Sequence, residues 1–221
     1  MKIGAVEILY LGHSGFLINN EKRVVIDPYN VSDGIEKVDL ILITHSHYDH
    51  CSIKDIQKLA KKGTIIVVPA DAQSKIAHVE DVEMQIIEVG DELEFEGVKV
   101  TAVPAYNIDK EFHPKSEGWM GYIIKHGNVI IYHAGDTDKI PEMEKLTGYA
   151  KQGNEFVVLL PVSGNYVMSA EEAASVASML NPTLAIPMHY GAGVAGTVDD
   201  ALRFVKLCKE MNLRAEILAK V

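Results

Sequence analysis

Val38-Asp-Leu-Ile-Leu-Ile-Thr-His-Ser-His-Tyr-Asp-His50 runs from an apolar stretch directly into three histidines and an aspartate within six positions. Continuous Leu and Ile, without polar alternation, predict a strand covered on both faces. Nothing apolar explains its polar end. If the chain leaves the strand in an extended or turning loop, His45 and His47 point the same way, while Asp49 and His50 serve a second centre nearby. Imidazole and carboxylate donors suit zinc, with iron or manganese as alternatives.

Working outward, two further segments share this layout of an apolar strand emptying into a polar, glycine-containing turn. They are Val129-Ile-Ile-Tyr-His-Ala-Gly-Asp136-Thr and Leu184-Ala-Ile-Pro-Met-His189-Tyr-Gly. A strand fixes where a ligand side chain originates and the following loop sets its direction. Taken with the first cluster, Asp136 and His189 become candidates for the same centre. Other Val- and Ile-rich runs predict strands at 6–11, 23–27, 64–68, 98–103, 121–125 and 156–160. Helices are expected over 53–62, 170–180 and 198–211, where Ser52 with Asp55, Ser169 with Glu172 and Thr197 with Asp200 place a hydroxyl three residues before a carboxylate. Asn181-Pro182 stops the middle one.

The 221 residues include 31 acidic and 21 basic side chains, a formal charge of -10, and no basic patch stands out. A polyphosphate backbone would be repelled, so long nucleic acid is not an expected partner. Cys51 and Cys208 are too few for a disulfide framework and suit a reducing cytoplasm. No apolar run approaches the ~20 residues that cross a bilayer, so a cytoplasmic protein without membrane insertion is expected, acting on a small molecule, with homo-oligomer formation left open. The expected organisation is a single domain over 1–221, since no repeat or Pro/Ser linker divides the chain.

Asp27 in Val-Val-Ile-Asp-Pro, the Thr-His-Ser-His-Tyr-Asp-His run, Gly135-Asp136-Thr137 and Met188-His189-Tyr190-Gly191 occur in the order found in the metallo-β-lactamase superfamily, which the sequence resembles. Leu11-Gly12-His13-Ser14-Gly15-Phe16 and Tyr132-His133-Ala134-Gly135-Asp136-Thr137 look like its branch of small single-domain metal-dependent hydrolases, which includes sugar-phosphate lactonases and lipid phosphodiesterases. The resemblance implies an α/β fold, a four-layer αββα sandwich of two mixed β-sheets with helices on the outer faces and the metals at one edge. It implies that His45 and His47 bind one ion, that Asp49, His50 and His189 bind the other, and that Asp136 bridges them. Asp27 would orient a ligand loop without touching metal. Two divalent ions, zinc first, with manganese, iron or nickel as alternatives, would activate a hydroxide that cleaves a phosphodiester, a lactone or a similar small ester, with Asp49 orienting it.

The pattern breaks at one place. Relatives supply a further histidine to the first metal from a strand end where Thr101-Ala-Val-Pro-Ala-Tyr106-Asn107 carries none. Asn107 stands at the expected position; His113, six residues on, is the first candidate to reach back, with His13 or water as rivals. Whichever of the two histidines is not a ligand could deliver a proton to the leaving group. His133 is expected to support the site from within its strand. Tyr166 and Asn165 form a turn that could touch substrate, and Lys115 and Trp119 flank a loop that could cover it. The gap also motivates a second function, a metal-binding sensor or scaffold without catalysis.

Overall fold

The period-two pattern of the strands decides how the layers stack. Val24 and Ile26 face one apolar cluster and Val25 the other; Leu40 and Leu42 are divided from Ile41 in the same way. A strand with Val, Ile or Leu at every position must be covered on both faces. In the computed structural model, which describes residues 1–151 and 153–221, that demand produces two sheets packed face to face with helices outside.

The first sheet has seven strands in sequence order: β1 (Lys2–Ile3), β2 (Val6–Gly12), β3 (Gly15–Asn19), β4 (Arg23–Ile26), β5 (Leu40–Leu42), β6 (Thr64–Val68) and β7 (Val82–Ile86). β1 to β4 pair antiparallel and β4 to β7 parallel. The second sheet contains β8 (Glu92–Phe95), β9 (Val98–Pro104), β10 (Met120–His126), β11 (Val129–His133), β12 (Glu155–Pro161) and β13 (Leu184–Met188), in the reverse of sequence order. Here β8 to β11 are antiparallel and β11 to β13 parallel, so both sheets are mixed. Helix α1 (Ile53–Leu59) and the short α2 (Gln73–Ile76) cover the first sheet through Ile56, Leu59 and Ile76. Helices α3 (Ala170–Leu180) and α4 (Val198–Glu210) cover the second through Ala173, Ala177, Ala201 and Phe204. This is the expected αββα sandwich.

Two local expectations are corrected. The helix over 53–62 ends at Leu59 because Ala60 turns extended and Lys61 N–H binds Thr64 Oγ at 2.9 Å, returning the chain to β6. The capping box at Ser52 does not form: Asp55 accepts instead from the N–H groups of Asn30 and Val31, both at 2.9 Å, and from Ser52 Oγ. That carboxylate ties the loop after β4 to the start of α1. At α3 the Ser169–Glu172 box is complete, and Asn181 closes the helix in the left-handed conformation. Among the described residues, no helix is long and apolar enough to cross a membrane.

Parallel strands β4 and β5 in one sheet and β11, β12 and β13 in the other all run out at the same edge. Every loop that leaves their C-terminal ends therefore meets the others.

Candidate metal centre

Those loops bring the singled-out side chains together. His45, His47, Asp49 and His50 follow β5; Asp136 follows β11; His189 follows β13; His13 sits in the β2–β3 turn; and His113 ends the loop after β9. All but half-buried His47 are at most 5% exposed. Polar groups removed from water this thoroughly need partners, and the partners fix their protonation.

His113 Nδ1–H donates to the Tyr166 carbonyl at 3.0 Å, which leaves Nε2 with its lone pair pointing inward. Thr44 Oγ–H donates to Asp27 Oδ2 at 2.6 Å, so Thr44 Oγ accepts from His45 Nδ1–H at 2.9 Å and His45 Nε2 also faces inward unprotonated. Both nitrogens approach His47 Nδ1, at 3.1 Å from His45 and 3.2 Å from His113. A single proton on His47 could serve only one of them. The convergence of three nitrogen acceptors becomes favourable when a cation lies between them.

The second group comprises His13, Asp49, His50 and His189, whose donor atoms lie within 4.8 Å of one another, as do those of His45, His47 and His113. His50 Nδ1–H donates to Asp27 at 2.8 Å, leaving Nε2 buried without a hydrogen-bond partner. His189 Nδ1 is paired with Ser163 Oγ at 2.9 Å. Asp136 Oδ2 stands between the groups: 3.1 Å from His189 Nε2, 3.3 Å from both His50 Nε2 and His113 Nε2, and 3.9 Å from His45 Nε2. Its other oxygen is a buried acceptor with no partner. Inward-facing ring nitrogens and carboxylate oxygens, among them the unpartnered His50 Nε2 and Asp136 Oδ1, make a donor set that fits divalent cations of the zinc type.

Protonation follows the same geometry. Burial holds the pKa of His45 well below the ordinary value, and burial with the neighbouring His113 lowers that of His47. Burial acts on His50 too, but Asp136 and Asp27 outweigh it and hold its pKa well above the ordinary value. For Asp136, burial opposes the charge, yet His189 and His50 keep its pKa far below the carboxylate range. Asp49, also opposed by burial, is held down to about 2 by the hydrogen bond from His13.

Asp27 could be mistaken for a ligand, since one of its oxygens lies near His45 and His50. Its acceptors are taken: Oδ1 by Thr44 N–H at 2.8 Å, and Oδ2 by Thr44 Oγ and His50 Nδ1. It orients two histidines of the cluster. Asn107 plays a comparable part where the family histidine was expected. Its Nδ2 donates to the Phe112 and Tyr166 carbonyls at 2.8 and 2.6 Å and its N–H to the His113 carbonyl at 2.7 Å, folding residues 107–113 into the turn that brings His113 back. His133 Nε2 binds the Ser14 carbonyl at 2.8 Å and its Nδ1 accepts from Gly135 N–H, so it braces the turn presenting Asp136. His13 Nε2–H donates to Asp49 Oδ2 at 2.9 Å. Burial holds its pKa down at about 4, so it donates as the neutral ring. Four of these residues, His13, Asp27, His113 and His189, have positive φ between 44° and 61°. Each such conformation costs on the order of 1 kcal/mol or more and marks a site over-determined by its surroundings.

Sequence reasoning missed Thr44, whose hydroxyl sets the tautomer of His45, and Ser163, whose hydroxyl pairs with His189 Nδ1. Their signal is a hydroxyl beside a ligand or on the neighbouring strand end. Trp119 packs its ring 4.8 Å from both His45 and His47 and donates Nε1–H to Asp71 at 2.8 Å. Lys115 is turned away from the cluster toward Glu142 and Tyr106 Oη. Cys51 lies in the apolar layer beneath α1.

Residues 7–189 match the family model of the beta-lactamase superfamily domain. A UPF0173 metal-dependent hydrolase of Thermoplasma acidophilum is 34% identical, over 84% of this chain and 83% of the relative. The chain belongs to the beta-lactamase superfamily, among its metal-dependent hydrolases. A solved structure from Parabacteroides distasonis, assigned as a metal-dependent hydrolase, superposes on this hydrolase with a TM-score of 0.82 at 28% identity, covering 96% of this chain and 92% of that one. A metallo hydrolase from Ignicoccus hospitalis shares the fold at TM-score 0.75 and 22% identity, over 97% and 95% of the two chains. Membership among the hydrolases sets aside the sensor or scaffold reading.

Proposed function

We propose that the hydrolase, taken as one domain over 1–221, cleaves a small ester-like bond with two divalent ions, zinc first. One would be held by His45, His47 and His113, the other by Asp49, His50 and His189, with Asp136 shared. The observation that carries this reading is Asp136 Oδ2, lying 3.1–3.9 Å from histidine nitrogens of both groups. Such a pair of ions supplies a water of pKa lowered toward ~7 and Lewis acidity for the developing oxyanion.

The chain's own part is positional. Asp49, fixed by His13, orients the attacking water, so His13 acts through Asp49 rather than by delivering a proton to the leaving group. A cavity of about 270 Å³ opens onto His47, Asp49, His113, Asp136 and His189, so substrate can approach both groups at once. With His47 and His113 assigned to metal, and His113 Nδ1–H bound to the Tyr166 carbonyl, the leaving oxygen's proton falls to water in this cavity.

Metal analysis of protein purified without added metal tests the reading, followed by turnover of lactones, carboxylic esters and phosphodiesters. Wild type should carry two equivalents and lose turnover to a chelator, while His47→Ala and Asp136→Ala lose metal and turnover together. Full activity in either variant would refute it.

A further inference from the structure

The walls of the cavity differ in character from its floor. Beyond the histidines and carboxylates, it is lined by Tyr48, Phe112, Tyr166 and Val194, and among the described residues no Lys or Arg lines it. Phe112 and Tyr166 meet edge to face at 4.7 Å, and Tyr48 packs edge-on against Tyr29 at 5.9 Å. Tyr48 is 62% and Phe112 49% exposed, a large apolar area to leave in water at the mouth of a site.

Nearby cations are committed elsewhere. Lys110 binds Asp138 and the Val167 carbonyl, Lys115 binds Glu142, and Lys75 binds the Ser46 carbonyl. An anionic group remote from the scissile bond would therefore meet aromatic faces and find no counter-charge, on a chain whose formal charge is already -10.

Building on the hydrolase reading above, we propose that the substrate is an uncharged lactone or carboxylic ester bearing a small aryl or branched alkyl group, clasped between Tyr48 and the Phe112–Tyr166 pair. At about 270 Å³ the cavity lies just under the usual range of ligand pockets, roughly 300–1,000 Å³, so one ring and a short acyl group fill it. Water oxygen bonds to the acyl carbon as the acyl C–O bond breaks. One water proton ends on the leaving alkoxide, and the other is released as the acid ionises. No oxidant or reductant is required.

The test compares metal-loaded protein on phenyl acetate, on 4-acetoxyphenyl phosphate, which adds a remote phosphate to the same ester, and on bis(4-nitrophenyl) phosphate. The expected order places phenyl acetate first by roughly tenfold or more in kcat/KM. Phe112→Ala and Tyr166→Ala each lower that value about tenfold, mainly through KM, and Phe112→Lys moves the preference toward the phosphorylated ester. Preferred, chelator-sensitive turnover of either phosphorylated compound would overturn the substrate class while upholding the hydrolase. In a second arm, ligand-observed NMR on metal-free protein compares acetophenone with 4-acetylphenyl phosphate. Acetophenone should bind and be lost in Phe112→Ala; tighter binding of the phosphate would overturn the proposal even if no compound is turned over.

Discussion

Asp27→Asn exchanges one oxygen for an NH2 group at a residue that touches no substrate, and it separates the two halves of the centre. Asparagine tolerates the left-handed conformation found here, φ 44°, so the backbone is not the perturbation. The amide oxygen can keep the Thr44 N–H bond while its NH2 faces Thr44 Oγ, which can turn to accept, and His50 Nδ1–H, which cannot. Relief for His50 requires the other tautomer, which puts a proton on Nε2 where a lone pair faces the cluster. Loss of such an orienting partner weakens metal binding about 10- to 100-fold, or about 1.4–2.8 kcal/mol. Replacing a buried charge-assisted bond also destabilises the metal-free fold by about 2 kcal/mol. Chelator competition should show the ion near His50 weakened more than the one near His45, whose Nδ1–H can still donate to Thr44 Oγ although that hydroxyl has lost its own acceptor; urea unfolding reads the second effect. Equal weakening of both ions, or wild-type affinity for both, would refute the tautomer argument.

Three further outcomes follow from the same geometry. Because Asp136 and Asp27 hold the His50 pKa well above its ordinary value in the metal-free chain, metal binding near neutral pH displaces a proton. Calorimetry in buffers of different ionisation enthalpy should register the release, and affinity should rise with pH; a buffer-independent heat would contradict it. Gly135→Ala forces a side chain at φ 66° with its Cβ 2.7 Å from the Met120 carbonyl, so it should displace Asp136 and lower both stability, by more than about 1 kcal/mol, and metal content. Metal content equal to wild type would count against the role of this turn. Burial pushes the Cys51 thiol up to about 12 and the Cys208 thiol up to about 11, so neither should react with a thiol reagent at pH 8 until the protein is unfolded; rapid labelling of the native chain would place them wrongly.

The legible parts of the sequence were those where burial leaves no choice of residue. β4, β6, β11 and β13 are apolar at nearly every position because both faces are covered, and their run-outs advertised Asp27, Asp136 and His189. The edge strands were not legible. β7 (Val-Glu-Met-Gln-Ile) and β8 (Glu-Leu-Glu-Phe) present one face to solvent, and so few residues cannot distinguish alternation from a loop. β3 was missed for another reason: the expected first strand stops at Leu11, before the two-residue turn holding His13 and Ser14, and Gly15-Phe-Leu-Ile-Asn19 is too short a run after it to stand out. The choice between His113 and His13 beside His45 and His47 was likewise beyond sequence, because it depends on Asn107 binding two carbonyls and on His113 adopting φ 58°.

Anomalous diffraction from metal-loaded crystals, recorded on both sides of the metal absorption edge, tests the central claim most directly. The account predicts two peaks, roughly 3.5–4 Å apart, one against His45, His47 and His113 and one against Asp49, His50 and His189, with Asp136 between them. A single peak, or a second one away from Asp136, would contradict it.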